Sequence, residues 1–268
     1  PTKKVNILTH SMGGLVARRY IVNHPNNHNV NKWISIVAPW LGAAKALDSI
    51  HTGRFVGKFE IGGGVYLYQN SVKNIVQFGA GPHELLPSSW YFINGGRPFA
   101  YQSFSSANPT EYSYTQTYEM INSVFPSQPY INTAEFHNMP GQDNWATDTT
   151  GIKYYHFYSS QKCPNTISQF IIRPRTSFPI SIRKLRFGSE NKYGDGDGTV
   201  PIISANRPFS MLAPNTVIRS YSSPNCDEDS KYDHNGILGN EQFRAEIIGI
   251  LNDNSFRHFL AKKLIQNL

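Results

Sequence analysis

The sequence is short of charge, of cysteine and of long apolar runs. Asp, Glu, Lys and Arg make up 16% of its 268 residues, against the usual quarter. Polarity comes instead from Asn, Ser, Thr, Tyr, Gly and Pro, a balance that favours loops and a neutral, aromatic surface. No stretch reaches the ~18 consecutive apolar residues that a membrane-spanning helix needs. Two cysteines, Cys163 and Cys226, are too few for a disulfide scaffold. A bridge between them and a pair of free thiols both fit; the bridge would suit an oxidising compartment. No internal repeat and no recognisable nucleic-acid module is present, so the net charge of +7 gives little support to nucleic acid as a partner. Part of that surplus falls in Arg173, Arg175, Arg183, Lys184 and Arg186, either a solvated hairpin face or a lipid-docking patch.

What is present is 39% hydrophobic and 13% aromatic residues, enough for a sizeable core in one large domain or one domain with an inserted cap. Val5 to Leu8 reads as a buried strand, and Met12-Gly13-Gly14 opens a helical pattern carried by Leu15, Val16, Tyr20 and Ile21 to about Asn23. Trp33 to Val37 is a second apolar run of the parallel-sheet type. Strand, helix and strand make an α/β unit.

From 43 to 150 the periodicity fades. Gly62-Gly63-Gly64 and Gly79-Ala80-Gly81 look like hinges, and a short helix is expected near Met120 to Val124. So much irregular chain is usually functional, and it reads as a lid followed by a cap. Regular structure returns with a strand at Ile152 to Tyr158 and a hairpin of Ile167 to Ile172 with Ile180 to Phe187. A glycine-rich turn at 194–198, a last strand at Val217 to Tyr221, and helices at about Glu241 to Leu251 and Ser255 to Ile265 follow. The expected division is core at 1–42, lid and cap at 43–150, and core again at 151–268.

Three short runs carry chemistry. Thr9-His10-Ser11-Met12-Gly13 lies between a strand and a helix, where a nucleophilic serine on a tight turn needs small neighbours. The helix N-terminus there favours developing negative charge, which makes the Met12 N–H the natural first oxyanion donor. Tyr193-Gly194-Asp195-Gly196-Asp197-Gly198-Thr199-Val200 supplies an acid on a turn after a late strand. Asp197 is the better candidate and Asp195 the alternative; a calcium loop of EF-hand type lacks its spaced oxygens and distal Glu. Asp233-His234-Asn235-Gly236 supplies the base. Nine histidines make a lone one uninformative, but His234 completes the order Ser, Asp, His of α/β-hydrolases.

At these residues the sequence resembles the lecithin:cholesterol acyltransferase family. The elbow His10-Ser11-Met12-Gly13-Gly14, the run Ala38-Pro39-Trp40-Leu41-Gly42, the segment Leu85-Leu86-Pro87-Ser88, the loop Gly194 to Val200 and the pair Asp233-His234 are each similar to family motifs. The resemblance implies an α/β-hydrolase fold with an inserted lid and cap. It also implies a catalytic triad of Ser11, Asp197 and His234, no cofactor or metal, and acyl transfer from a phospholipid or other lipid ester. The acceptor would be water or a lipid alcohol such as a sterol, at a membrane or lipoprotein surface. The implied location is the secretory-pathway lumen, lysosome or vacuole, or the extracellular space. One departure matters: the family places several strands and a second oxyanion donor ahead of the elbow. An N-terminal fragment of the same enzyme is therefore the expected partner, with a truncated structural relative as the other reading. A catalytically silent subunit that binds lipid or protein is the alternative function, and an esterase of small soluble substrates a third.

Overall fold

A computed structural model of the chain describes residues 4–53, 60–61, 65–66, 76, 79–103, 105–124, 130–175, 186–207, 209–224 and 231–252. Gly62 to Gly64, Arg183, Lys184, the side chain of Cys163, Cys226 and the Ser255 to Ile265 helix lie outside the described residues.

The first unit is β1 (Val5–His10), α1 (Gly13–Asn23) and β2 (Val30–Ile36), with β1 and β2 parallel in the register Ile7↔Trp33 and His10↔Ile36. β2 is almost wholly buried because helices cover both faces of the sheet. Trp33 points to the face under α1, where it packs with Leu15, Ile21 and Tyr154. Ile34 and Ile36 point to the opposite face, against Phe243, Ile247 and Ile250. Those three belong to α8 (Glu241–Leu251), whose N-cap Asn240 Oδ1 accepts the Phe243 N–H at 3.1 Å. Such a cap contributes about 1 kcal/mol.

The strand expected at Ile152 to Tyr158 and the apolar run Ile167 to Ile172 are one continuous strand, β7 (Lys153–Arg175). Its first half lies parallel between β2 and β9 (Thr216–Ser223). Its second half pairs antiparallel with β8 (Arg186–Gly196), while residues 180–185 of the expected second run lie outside the described residues. Gly194 and Gly196 still belong to β8, and the turn falls just beyond them.

The stretch expected to be irregular holds regular elements: α2 (Ala44–Thr52), the two-residue pair β3 (Glu60–Ile61) and β4 (Val65–Tyr66), α3 (Ala80–Glu84), α4 (Ser89–Ile93), α5 (Tyr114–Val124) and α6 (Tyr130–Asn138). β5 (Phe99–Tyr101) and β6 (Thr110–Glu111) join the central sheet, β5 running parallel to β7 with Phe99 opposite Phe170. α2 covers that half of the sheet through Ala46, Leu47 and Ile50. The short α7 (Ile202–Ala205) follows β8. The result is a mixed α/β fold around a largely parallel central sheet. Among the described residues, no helix is long and apolar enough to cross a membrane.

In this sheet β1 lies at an edge. Val5, Leu8, Val16 and Tyr20, on β1 and α1, are 42–59% exposed.

Candidate functional site

β1 ends at His10, and the chain must then turn sharply into α1. Ser11 makes that turn with φ 54°, a left-handed conformation uncommon for a residue with a Cβ. Its N–H donates to the Ile36 carbonyl at 2.9 Å, and its carbonyl accepts the Gly14 N–H at 2.9 Å. Gly14 is needed because a Cβ there would sit 2.6 Å from that of Ala38. The chain leaving β2 therefore passes directly beneath the start of α1. Val37 also has a positive φ, 46°, so backbone strain flanks the same crevice.

Behind the crevice, Trp40 fixes the Ala38 to Gly42 run. Its indole N–H donates to His156 Nδ1 at 3.0 Å, while His156 Nε2–H donates to the Ala205 carbonyl at 2.7 Å. Burial presses the His156 pKa down to about 3, so the ring stays neutral. Ser204 Oγ accepts the Leu41 N–H at 3.0 Å.

Beyond β8, Asp197 is 1% exposed. One oxygen, Oδ1, accepts the N–H groups of Thr199 and Val200 at 2.9 and 2.6 Å. The other, Oδ2, lies 2.8 Å from His234 Nδ1. His234 Nε2 lies 2.7 Å from Ser11 Oγ. The two loops are also joined through the backbone, with the His234 N–H donating to the Asp197 carbonyl at 2.8 Å. Three residues far apart in sequence thus form one hydrogen-bonded line. Asp195, the other acid in the loop, is exposed on β8. Met12 stands at the N-cap of α1, where backbone N–H groups have no helical partner.

The line opens onto a cavity of about 460 Å³, whose walls include Met12, Pro39, Lys45, Pro82, Leu85 and Val200. That volume suits a medium-sized, largely apolar ligand. Lys45, in the first turn of α2, donates from Nζ to Thr199 Oγ1 at 2.9 Å. Burial lowers its pKa to about 8, against the opposing pull of Asp197 and Asp48. In protein whose lysines carry 13C-methyl groups, the Lys45 resonance is expected to titrate near 8. A midpoint at the ordinary value of 10.5 would contradict that burial.

A second polar cluster supports the cavity wall. His137 Nδ1 faces Asp143 Oδ1 at 2.8 Å and its Nε2 faces the Glu84 carbonyl at 2.9 Å. Both partners are acceptors, so both ring nitrogens must donate, and the ring is an imidazolium. Burial opposes that charge, but Asp143 and the Glu84 carbonyl outweigh it and raise the pKa above 6.5. Glu84 closes α3, which also supplies Pro82 to the cavity wall. The sign for stability follows: a raised folded pKa contributes stability that is complete below about 6.5 and lost as pH climbs through the folded value. Denaturant titrations from pH 6 to 9 are expected to show a loss that is absent in His137→Gln. Parallel curves for the two proteins would refute the clamp.

Neither Lys45 nor His137 stood out in the sequence. Lys45 is an ordinary charge on an amphipathic helix, and His137 lies where periodicity is weak. His10, inside the Thr9 to Gly13 motif, was readable only as a neighbour of Ser11.

Against known proteins, the model of the lecithin:cholesterol acyltransferase family matches residues 1–149, more than half of the chain. The chain belongs to the lecithin:cholesterol acyltransferase family. Over 54 residues it is 46% identical to phospholipase A(1) LCAT3 of Arabidopsis thaliana, a stretch covering 19% of this chain and 12% of that relative. A chain in the crystal structure of the Tle4–Tli4 complex superposes with a TM-score of 0.60 at 18% identity, over 90% of this chain and 57% of that one. That likeness concerns the fold alone. The family member described here thus spans little more than half the length of the solved chain it resembles, and its match to the curated relative is shorter still.

Proposed function

We propose that this chain carries the reaction centre of a serine-dependent lipid acyl hydrolase or O-acyltransferase, of phospholipase A or phospholipid:sterol acyltransferase type, working through an acyl-enzyme on Ser11. The observation that carries the proposal is the relay from Asp197 through His234 to Ser11, at 2.8 and 2.7 Å, facing a largely apolar cavity. Family membership and the stretch shared with a protein named a phospholipase A(1) support it.

In this reading 1–42 and 151–268 form an α/β-hydrolase core and 43–150 its lid and cap. Ser11 Oγ attacks the ester carbonyl carbon as His234 Nε2 takes the hydroxyl proton. Asp197 stabilises the resulting imidazolium, and the Met12 N–H receives the carbonyl oxygen as it becomes an oxyanion. The tetrahedral adduct collapses, the glycerol oxygen leaves with the proton from His234, and the acyl group stays on Ser11. Water or a lipid hydroxyl then gives its proton to His234 and attacks the acyl-enzyme, and His234 Nε2 returns that proton to Ser11 Oγ as the acyl product leaves. An N-terminal segment of the same enzyme would pair with the β1 edge, cover Val5, Leu8, Val16 and Tyr20, and add a second oxyanion donor. The proposed setting is a lipid surface in the secretory-pathway lumen, the lysosome or vacuole, or the extracellular space.

A fluorophosphonate probe applied to the full-length protein tests the reading. Labelling that disappears in Ser11→Ala, with release of fatty acid from phosphatidylcholine vesicles, is the expected result. Vesicles containing a sterol separate transfer from hydrolysis by the appearance of steryl ester. Absence of labelling in the folded wild-type protein would overturn the reading in favour of a silent binding subunit. Turnover restricted to short, soluble esters would overturn the lipid assignment.

A further inference from the structure

We propose that His10 is a positioning residue for the acyl transfer described above, holding the backbone of His234 so that its ring meets Ser11. The proposal rests on that functional reading and adds a residue to it. His10 Nε2 lies 2.7 Å from the His234 carbonyl oxygen. A carbonyl can only accept, so Nε2 carries the proton and donates. The two imidazoles sit side by side with ring centroids 5.0 Å apart and planes inclined by 51°, and both line the cavity.

The geometry gives this bond a particular task. His10 is the last residue of β1, held in register opposite Ile36, and the next residue, Ser11, is bonded to the same Ile36 through its N–H. The donor is therefore as firmly placed as the nucleophile. His234 lies on a loop between β9 and α8, and the Asp197 contacts tie that loop to the acid. His10 ties it to the nucleophile strand. Asp197 sets the tautomer and tilt of the His234 ring, and His10 sets its distance from Ser11 Oγ.

Charge supports the same role. Burial is the main influence that lowers the His10 pKa, and neighbouring His234 adds to it; the hydrogen bond to the His234 carbonyl and the charge of Asp197 act the other way. A neutral His10 holds the loop without opposing the positive charge that His234 must take up. Lys45 is the further cation on the cavity wall. His10 itself transfers no proton.

The test compares three variants of the full-length protein. The amide nitrogen of Gln can take the place of imidazole Nε2, whereas Asn is too short and Leu has no donor. His10→Leu and His10→Asn are expected to lower kcat and the rate of fluorophosphonate labelling about 10- to 100-fold, with KM within about two-fold, because a misplacement of an ångström costs on that order. His10→Gln is expected to recover to within about five-fold of wild type, since it keeps the donor. Should His10→Leu fail to fold, the Asn and Gln pair decides. Wild-type rates in Leu or Asn would overturn the positioning role, as would equal losses in Gln and Asn. Labelling that still depends on Ser11 leaves the parent reading standing in those cases; no labelling of wild type removes both.

Discussion

Under the proposed mechanism, Asp197→Asn is expected to lower kcat for acyl transfer by about 10⁴ while leaving the fold intact, the loss known for an Asp-to-Asn change in a serine–histidine–aspartate relay. The reason lies in how the carboxylate is shared. Oδ1 accepts the N–H groups of Thr199 and Val200, and Oδ2 faces His234 Nδ1. An Asn side chain must keep its oxygen on the two backbone donors, so its NH₂ turns toward Nδ1. His234 then offers Nδ1 as acceptor and carries its proton on Nε2, pointing it at Ser11 Oγ. The base has become a donor, and Ser11 cannot lose its proton. Stopped-flow measurement of the acylation burst with an activated long-chain ester checks this, with circular dichroism to verify the fold. Asp195→Asn, at an exposed position on β8, is the matched control and is expected to stay within about two-fold. Similar losses in both variants would undo the assignment of the acid.

The sequence marked Ser11, Asp197 and His234 as candidates because the parts of the site are each local, and the structure brings them into one hydrogen-bonded line. The turn at Ser11 requires Gly14 three residues on, where a Cβ would sit 2.6 Å from that of Ala38, and a strand and helix on either side. The Asp197 loop likewise holds its own donors, Thr199 and Val200, two and three residues on. What escaped was set by contacts between distant segments. β5 is three residues long, and nothing in Phe99-Ala100-Tyr101 marks it as a strand until Phe99 meets Phe170 and the edge of β7 completes its hydrogen bonds. The unity of β7 was hidden by Cys163-Pro164-Asn165, which reads as a break. The chain instead accommodates it with register shifts between Gln161 and Thr166 opposite β8. The His10 bond spans 224 residues of sequence and leaves no periodic trace. Across 43–150 the composition hid regular elements: among the described residues this stretch holds helices and four short strands, β3 to β6, as well as loops.

Arg18→Met is expected to destabilise the protein by about 3–5 kcal/mol, the cost of leaving a buried charge without its partner. Arg18 leaves α1 into the aromatic cluster around Trp145, stacked 4.5 Å from that ring. Its Nη1 reaches Asp148 Oδ2 at 2.6 Å and its Nε the Gly141 carbonyl at 2.6 Å. The Arg18 and Asp148 side chains are only 3% and 4% exposed. Burial alone would raise the Asp148 pKa; hydrogen bonds from Thr150 and Arg18, with the charge of Arg18, reverse this and hold it below 3.8. With the folded pKa depressed, the pair contributes stability above about pH 4 that is lost as pH falls through the folded value. Methionine fills the space of the arginine stem but leaves the carboxylate buried and unpaired, so its pKa in the folded variant must rise. Lowering the pH then protonates Asp148 in the variant first, and the gap to wild type should narrow from pH 7 toward pH 4.5. Adding Asp148→Asn should recover part of the loss at pH 7, because the amide needs no counter-charge. Urea unfolding of the two single variants and the double variant, at both pH values, measures each step. A gap that stays constant with pH would mean that the cost of Arg18→Met lies in lost stacking on Trp145 and not in the uncompensated charge. Because α1 begins at the residues that hold Ser11, the same ion pair ties the Ser11–His234–Asp197 line to the aromatic core.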